Sequence, residues 1–229
     1  MKNDYFKQTE ETWDTIAQSF DTTRKNPWLE VVNFIDTLSG CNYIVDLGCG
    51  NGRHLLRCAK QCKYTLGIDI SSNLLQIAKQ SVLKQKLKNV DFIQGNNCSI
   101  PLKNSTCNAI IYIAAMHNIK KRNNRIQSLE EVNRILKDDG RALVSVWSRE
   151  QVKFRDCFND LTNDHSEVGD IMIYWKQNNM DVPRFYHLYS KEEFIEDLEQ
   201  SGLEIEQIIE IKLKSKKYSD NYFAKVRKG

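Results

Sequence analysis

An α/β fold, with a mostly parallel sheet covered by helices on both faces, is the architecture this sequence predicts. Two observations carry the prediction. Short apolar or β-branched runs alternate along the chain with segments of helical periodicity, and one run, Val45-Asp46-Leu47, passes directly into the glycine-rich turn Gly48-Cys49-Gly50-Asn51-Gly52. Strand and helix taking turns build right-handed βαβ units, which set the strands parallel and the helices outside them. Three glycines in five residues let the backbone turn sharply and approach a ligand that a Cβ would hold off.

Taken in order, Trp13, Ile16, Ala17 and Phe20 recur at helical spacing and predict an amphipathic helix. Asn26-Pro27-Trp28 reads as a cap followed by proline at the first helical position, opening a second helix with Val31, Val32, Phe34, Ile35 and Leu38 on its apolar face. Strands are expected at 43–47, 64–68, 90–94, 109–113 and 141–147. Helical patterns fall between several of them, at Leu55, Leu56 and Ala59, at Leu74, Leu75, Ile77, Ala78 and Val82, and at Ile126, Leu129, Val132, Ile135 and Leu136. Segments 203–212 and 222–227 read as two final strands paired antiparallel across the short connection at Ser219-Asp220. Residues 149–182 fit neither period and are long for a connection, which predicts a lid or a substrate-recognition insertion. The chain then reads as one domain over 1–229, with an N-terminal helical extension at 1–40 and the insertion at 149–182.

Composition narrows the class. A chain that is 41% hydrophobic and 28% charged is expected to be soluble and globular. No apolar run approaches the roughly 18 residues of a membrane helix, and Met1-Lys2-Asn3-Asp4-Tyr5 has no apolar signal region, so a cytoplasmic protein with no membrane partner is expected. The seven cysteines include no C-x-x-C pair, which favours reduced, buried thiols over a zinc site or a disulfide framework, and no metal is expected. A net charge of +3 does not demand nucleic acid, although the lysine clusters at 212–217 and 120–122 suit either a phosphate backbone or plain solvent.

The turn itself distinguishes between cofactors. A dinucleotide fingerprint reads G-x-G-x-x-G and seats a pyrophosphate at the helix start, whereas here the third glycine comes one residue early and Asp46 stands just before the turn. A carboxylate there repels a pyrophosphate and suits a phosphate-free cofactor whose positive end carries an amino group and a sulfonium. Gly67-Ile68-Asp69-Ile70-Ser71 follows one helix later and puts a second acid where a ribose would lie. With these residues the chain resembles the class I S-adenosylmethionine methyltransferases. The resemblance implies a Rossmann-like, seven-stranded, mostly parallel sheet with an antiparallel last strand. It also implies S-adenosylmethionine as cofactor, held by Asp46, Gly48, Cys49, Gly50, Gly52, Asp69, Ile70, Asn96, Asn97 and Ala114, with Asp69 on the ribose hydroxyls.

Beyond the cofactor, Ala114-Ala115-Met116-His117-Asn118 follows a strand at the carboxyl end, where open α/β sheets bind ligands. His117 there either faces the methyl donor or packs as a structural hydrogen bonder. The flanks resemble one branch, the transfer RNA (carboxymethyluridine34-5-O)-methyltransferases. The matching stretches are Trp13-Asp14-Thr15-Ile16-Ala17, Thr23-Arg24-Lys25-Asn26-Pro27-Trp28, Val146-Trp147, Asp170-Ile171-Met172-Ile173-Tyr174-Trp175, Arg184-Phe185-Tyr186-His187-Leu188-Tyr189 and Asp220-Asn221-Tyr222. Asn96 stands where that family has an acid facing the adenine, Asn118 replaces its second histidine, and Tyr174 replaces a proline.

This resemblance implies a wobble-uridine carboxylate as methyl acceptor, a tRNA anticodon loop as partner, and a small zinc-binding activator subunit adding to the edge strand 90–94. A carboxylic acid with a pKa near 4 is ionised at pH 7, so alignment rather than proton removal is the task. Arg24 and Arg184 are the candidate carboxylate or phosphate contacts, with His117 and His187 as hydrogen-bond donors. Lys120, Lys121, Arg122, Arg125 and 212–217 are the candidate RNA phosphate contacts. Two other readings stay open on sequence alone: a class I enzyme acting on a small molecule, and a non-catalytic cofactor-binding subunit.

Overall fold

The computed structural model describes residues 2–38, 40–158 and 167–229. Helices α1 (Lys2–Thr23) and α2 (Leu29–Asp36) lead into β1 (Tyr43–Leu47), α3 (Leu55–Gln61), β2 (Tyr64–Asp69), α4 (Ser72–Lys84), β3 (Val90–Gln94) and β4 (Cys107–Ile113). They are followed by α5 (Arg122–Ile135), β5 (Leu136–Trp147), β6 (Asp170–Trp175), β7 (Val182–His187), α6 (Lys191–Gln200), β8 (Leu203–Ile211) and β9 (Asn221–Lys228). Seven strands form one sheet in the order β3-β2-β1-β4-β5-β9-β8, while β6 and β7 make a separate hairpin. Strands β1 to β5 pair parallel, and β9 runs antiparallel to both of its neighbours. The expected sheet is therefore present, and the strand order reverses between β1 and β4, where a ligand crevice opens.

Period-two alternation explains why the sheet is covered on both sides. Ile110 and Tyr112 pack with Leu129, Val132 and Ile135 of α5 and Phe194 and Leu198 of α6. Ala109, Ile111 and Ile113 pack on the opposite face with Val31, Phe34 and Ile35 of α2 and Cys58 of α3. Ile110 and Ile111 are both 0% exposed, and each such buried side chain contributes roughly 1.5–3 kcal/mol. Helix α1 joins through Trp13, Ala17 and Phe20 against Leu74 and Ile77 of α4. Asp14 of α1 accepts bonds from the Ser71 hydroxyl at 2.5 Å and the Asn73 amide at 3.0 Å, placing a carboxylate at the N-terminus of α4.

Some local readings change. Helix α2 is entered from Trp28, in extended conformation with no side-chain cap, so Pro27 precedes the cap position and Asn26 does not cap. Strand β5 begins at Leu136 instead of 141 because it pairs with Cys107. The insertion read at 149–182 contains β6 and the start of β7; its residues 159–166 lie outside the described part. Helix α6 is an element the periodicity reading missed, although Ser190 and Glu193 have capping-box spacing and the Ser190 hydroxyl does accept the Glu193 amide at 3.1 Å.

Candidate active site

The glycine turn after β1 forms one wall of a large cavity at the carboxyl end of the sheet. Gly48, Gly50 and Gly52 have φ of 65°, 55° and 80°, conformations that side-chain-bearing residues rarely adopt. A Cβ on Gly48 would collide with the Ala115 Cβ, whereas one on Gly50 would meet only Phe20, at 3.8 Å. Gly50 thus leaves open a surface on which a ligand can lie. The Asp69 carboxylate closes the turn by accepting the Gly50 amide at 2.7 Å and the Ser71 amide at 2.9 Å. Burial pushes its pKa up to about 6 against those two bonds.

Asp46 lies beneath the turn, 1% exposed, and its Oδ2 is an orphaned acceptor. Burial, and then repulsion from Asp69, pushes its pKa well above the usual carboxylate range. Two buried acids and a bare glycine cradle fit a cofactor that carries a cationic amino-acid end and ribose hydroxyls. When bound, S-adenosylmethionine supplies a methyl group on a positively charged sulfur. Gly48, Cys49, Gly50, Asp69, Ile70, Asn96, Asn97 and Ala114 line the cavity and are placed to hold it.

Two cofactor assignments need correction. Gly52 is not in the cavity wall; its α-carbon packs on α4, where a Cβ would come within 3.0 Å of the Ala78 Cβ. Asp46 does not reach the wall either and lies beneath the turn, buried with an unpartnered oxygen. Asn96 lines the cavity, but its amide oxygen already accepts the Cys98 amide at 2.9 Å, while the neighbouring Asn97 oxygen is buried and unpartnered.

The cavity extends from the glycine turn past Ala114 and His117 to Trp28, Arg184 and Tyr186, so its lining reaches beyond the residues placed to hold the cofactor. Its far side is built by α1 and the β6–β7 hairpin. The Trp175 indole donates to the Ser19 hydroxyl at 2.9 Å, tying hairpin to helix, and the Asn51 amide donates to Asp21 and to the Arg24 carbonyl, both at 2.8 Å.

These ties bring Arg24 and Arg184 into one aromatic frame. The Arg184 guanidinium lies 4.9 Å from the Trp175 ring, 5.1 Å from Tyr186 and 5.7 Å from Trp13, and that of Arg24 lies 5.6 Å from Phe20 and 5.9 Å from Trp175. Arg184 is 7% exposed, donates to the Tyr186 hydroxyl at 2.5 Å, and has an unpartnered Nε. Burial, reinforced by the charge of Arg24, draws its pKa down. A third arginine, Arg53, stands over Trp28 at 5.2 Å, and burial followed by repulsion from Arg24 brings its pKa to about 10. Arg53 escaped the sequence reading although it directly follows the glycine turn.

Among the described residues, every arginine outside the cavity has a carboxylate within 4.0 Å. Arg24, Arg53 and Arg184, all of which line it, have none. Cations lining one cavity, one buried and two half-buried, without counter-ions mark a site for an anionic ligand.

His117 also faces this space. It is 0% exposed, and its Nδ1 accepts the Trp147 amide at 3.0 Å. That bond puts the ring proton on Nε2, which is buried and unpartnered in the cavity wall. Burial lowers its pKa to about 3, so the ring is a neutral donor. Tyr186, stacked on Trp147 with centroids 4.9 Å apart, completes the frame.

His187 is a correction. It does not line the cavity; its Nδ1 lies 2.7 Å from Asp170 and its Nε2 2.7 Å from Glu193. A ring with carboxylates at both nitrogens must donate from both, so His187 is an imidazolium clasping the foot of the hairpin to α6. Burial works against that charge, but the bonds to Asp170 and Glu193 outweigh it and raise the pKa. Glu167, Asp170 and His187 would otherwise suggest a metal cluster, but Arg125 occupies it with a 2.5 Å bond to Glu167. Arg125 is consequently 0% exposed, and Arg122 is bound to Asp197 at 2.6 Å; neither is free for phosphate, while Lys120 and Lys121 are exposed.

The fold is that of the class I S-adenosylmethionine-dependent methyltransferases. Residues 45–144 match the family described as "Methyltransferase domain". Among curated relatives it is 28% identical over 223 residues to the tRNA (carboxymethyluridine(34)-5-O)-methyltransferase of Schizosaccharomyces pombe, covering 88% of this chain and 89% of that one. It is 30% identical over 145 residues to the tRNA (carboxymethyluridine(34)-5-O)-methyltransferase ALKBH8 of Mus musculus, covering 63% of this chain. The chain spans about a fifth of the length of that mouse relative. Among solved structures, a Clostridium acetobutylicum S-adenosylmethionine-dependent methyltransferase superposes with a TM-score of 0.73 at 17% identity, over 95% of this chain and 99% of that one. A chain of the Haloferax volcanii complex between the Trm112 methyltransferase activator and a methyltransferase does so at 0.69 and 16% identity, over 96% of each. No helix among the described residues is long and apolar enough to cross a membrane.

Proposed function

We propose that this chain methylates the carboxylate of 5-carboxymethyluridine at wobble position 34 of transfer RNA, in the cytoplasm, giving 5-methoxycarbonylmethyluridine. The observation that carries the reading is the set of cavity arginines without counter-ions, Arg24, Arg53 and Arg184, beside the cofactor cradle. The printed names of the fission yeast and mouse relatives point to the same acceptor.

A carboxylate is ionised at neutral pH and needs no base. Its oxygen bonds to the methyl carbon as the carbon–sulfur bond breaks, and the electron pair leaves with sulfur. Arg24 and Arg184 hold the carboxylate and His117 Nε2–H donates to it. Alignment of this kind is worth roughly 7–11 kcal/mol. A guanidinium on both oxygens would withdraw the nucleophile, so the reactive pose leaves one oxygen free.

We also propose a small activator subunit as partner at β3. This strand is an edge of the sheet and is only half buried, and Leu83 near it is 74% exposed. Unpaired edge groups beside apolar surface suit an added strand.

The test is incubation of the purified chain, alone and with the activator, with labelled S-adenosylmethionine and tRNA carrying carboxymethyluridine. Label released from the wobble nucleoside by mild base, as an ester, is the expected result. Label appearing only in low-molecular-weight extract would assign a small-molecule acceptor instead.

A further inference from the structure

The hairpin that brings Arg184 into the cavity also turns an apolar face outward. Register pairs Met172 with Phe185 and Tyr174 with Pro183, so these four side chains share one face. Ile171, Ile173, Trp175, Arg184 and Tyr186 occupy the other. Met172 is 48% exposed and Tyr174 50%, Pro183 is exposed and Phe185 half-buried. Exposed apolar residues in cross-strand register form a patch, and such patches mark interaction sites.

A groove runs between this hairpin and α1, lined by Gln8, Thr9 and Thr12 on one side and Met172, Pro183 and Phe185 on the other. It shares Tyr5, Thr9, Trp13, Asn118 and Arg184 with the active-site cavity and so lies directly beside it. Among the described residues no acidic side chain lines it. Its charges are those of Arg184 and Lys120, whose ammonium stands 6.0 Å over the Phe185 ring and has no carboxylate within 4.0 Å among the described residues.

We infer that this groove, with Phe185 as its aromatic platform and Lys120 at its rim, takes an unpaired nucleotide adjoining the one in the cavity. This rests on the RNA acceptor proposed above. A base drawn into a buried site leaves its neighbours unstacked, and those neighbours need a flat apolar surface for the base and a cation for the phosphate. The groove offers both, beside the site, and the absence of acid among its described residues admits a polyanion. Its hydroxyl and amide groups on α1 can bond base edges or ribose.

The full chain is assayed on two acceptors: an anticodon stem-loop carrying carboxymethyluridine, and the free nucleoside. Phe185→Ala is expected to raise KM for the stem-loop at least fivefold, the low end of what one stacked base is worth. The nucleoside, too short to reach the groove, should react as with the parent protein. Phe185→Trp should restore stem-loop binding, and Lys120→Gln should lower the salt slope of stem-loop affinity by about 0.7. Equal loss on both acceptors, or no change on the stem-loop, overturns the inference. Binding of the stem-loop, read by fluorescence anisotropy, needs no methyl transfer. A Phe185-dependent affinity without esterification would therefore sink the proposed reaction while supporting the groove.

Discussion

His117 is where alignment and proton removal make different forecasts. Its Nδ1 is held by the Trp147 amide at 3.0 Å and its Nε2–H is the free group in the wall. Holding the pKa at about 3 rather than the ordinary 6.5 opposes protonation by roughly 5 kcal/mol. The ring is therefore neutral throughout pH 6–8 and only donates. His117→Asn keeps an oxygen for the Trp147 amide and removes the donor that reaches the cavity. One lost hydrogen bond to a charged acceptor is worth roughly 1.5–3 kcal/mol, so kcat/KM should fall roughly 10- to 150-fold, with cofactor affinity measured by calorimetry within twofold. Rate against pH should run parallel for parent and variant between pH 6 and 8. A limb in the parent that climbs tenfold per pH unit near 6.5 and vanishes in the variant, or a loss well beyond 10³-fold, would make His117 a base and refute the argument.

Other consequences follow from the same geometry. Arg184→Met should leave cofactor affinity near normal and raise KM for the carboxylate acceptor roughly 10- to 150-fold. Its melting temperature should move little, since lost ring contacts offset the removal of a buried, unpartnered Nε. Gly48→Ala should lose roughly 1–2 kcal/mol from its left-handed φ alone, and the Ala115 collision should weaken cofactor binding more than tenfold by calorimetry. The clasp at His187 has a raised pKa, so its stabilisation is full below about pH 6.5 and is lost as pH rises through the folded value. In melts from pH 6 to 9, Glu193→Gln should begin that loss at lower pH than the parent; identical curves would show that Glu193 does not support the charge.

What a linear sequence determines is what depends on near neighbours along the chain. Alternating apolar residues specify β4 and its two faces, three glycines specify the turn, and the acids Asp46 and Asp69 at strand ends specify the kind of cofactor. Gly52 and His187 show the limit. Both sit in motif-like positions, yet only the packing of α4 against the turn and the approach of Asp170 and Glu193 from separate elements reveal that one is a spacer and the other a clasp. Arg53 went unread for the complementary reason. A paired surface arginine and one facing a cavity without a counter-ion look alike in sequence, because exposure and pairing are set by residues distant in the chain. The tertiary structure alone decided that Arg24 and Arg53, which directly follow α1 and the glycine turn, and Arg184 of β7 share one cavity. Charge density at a site is a sum over elements that only folding brings together.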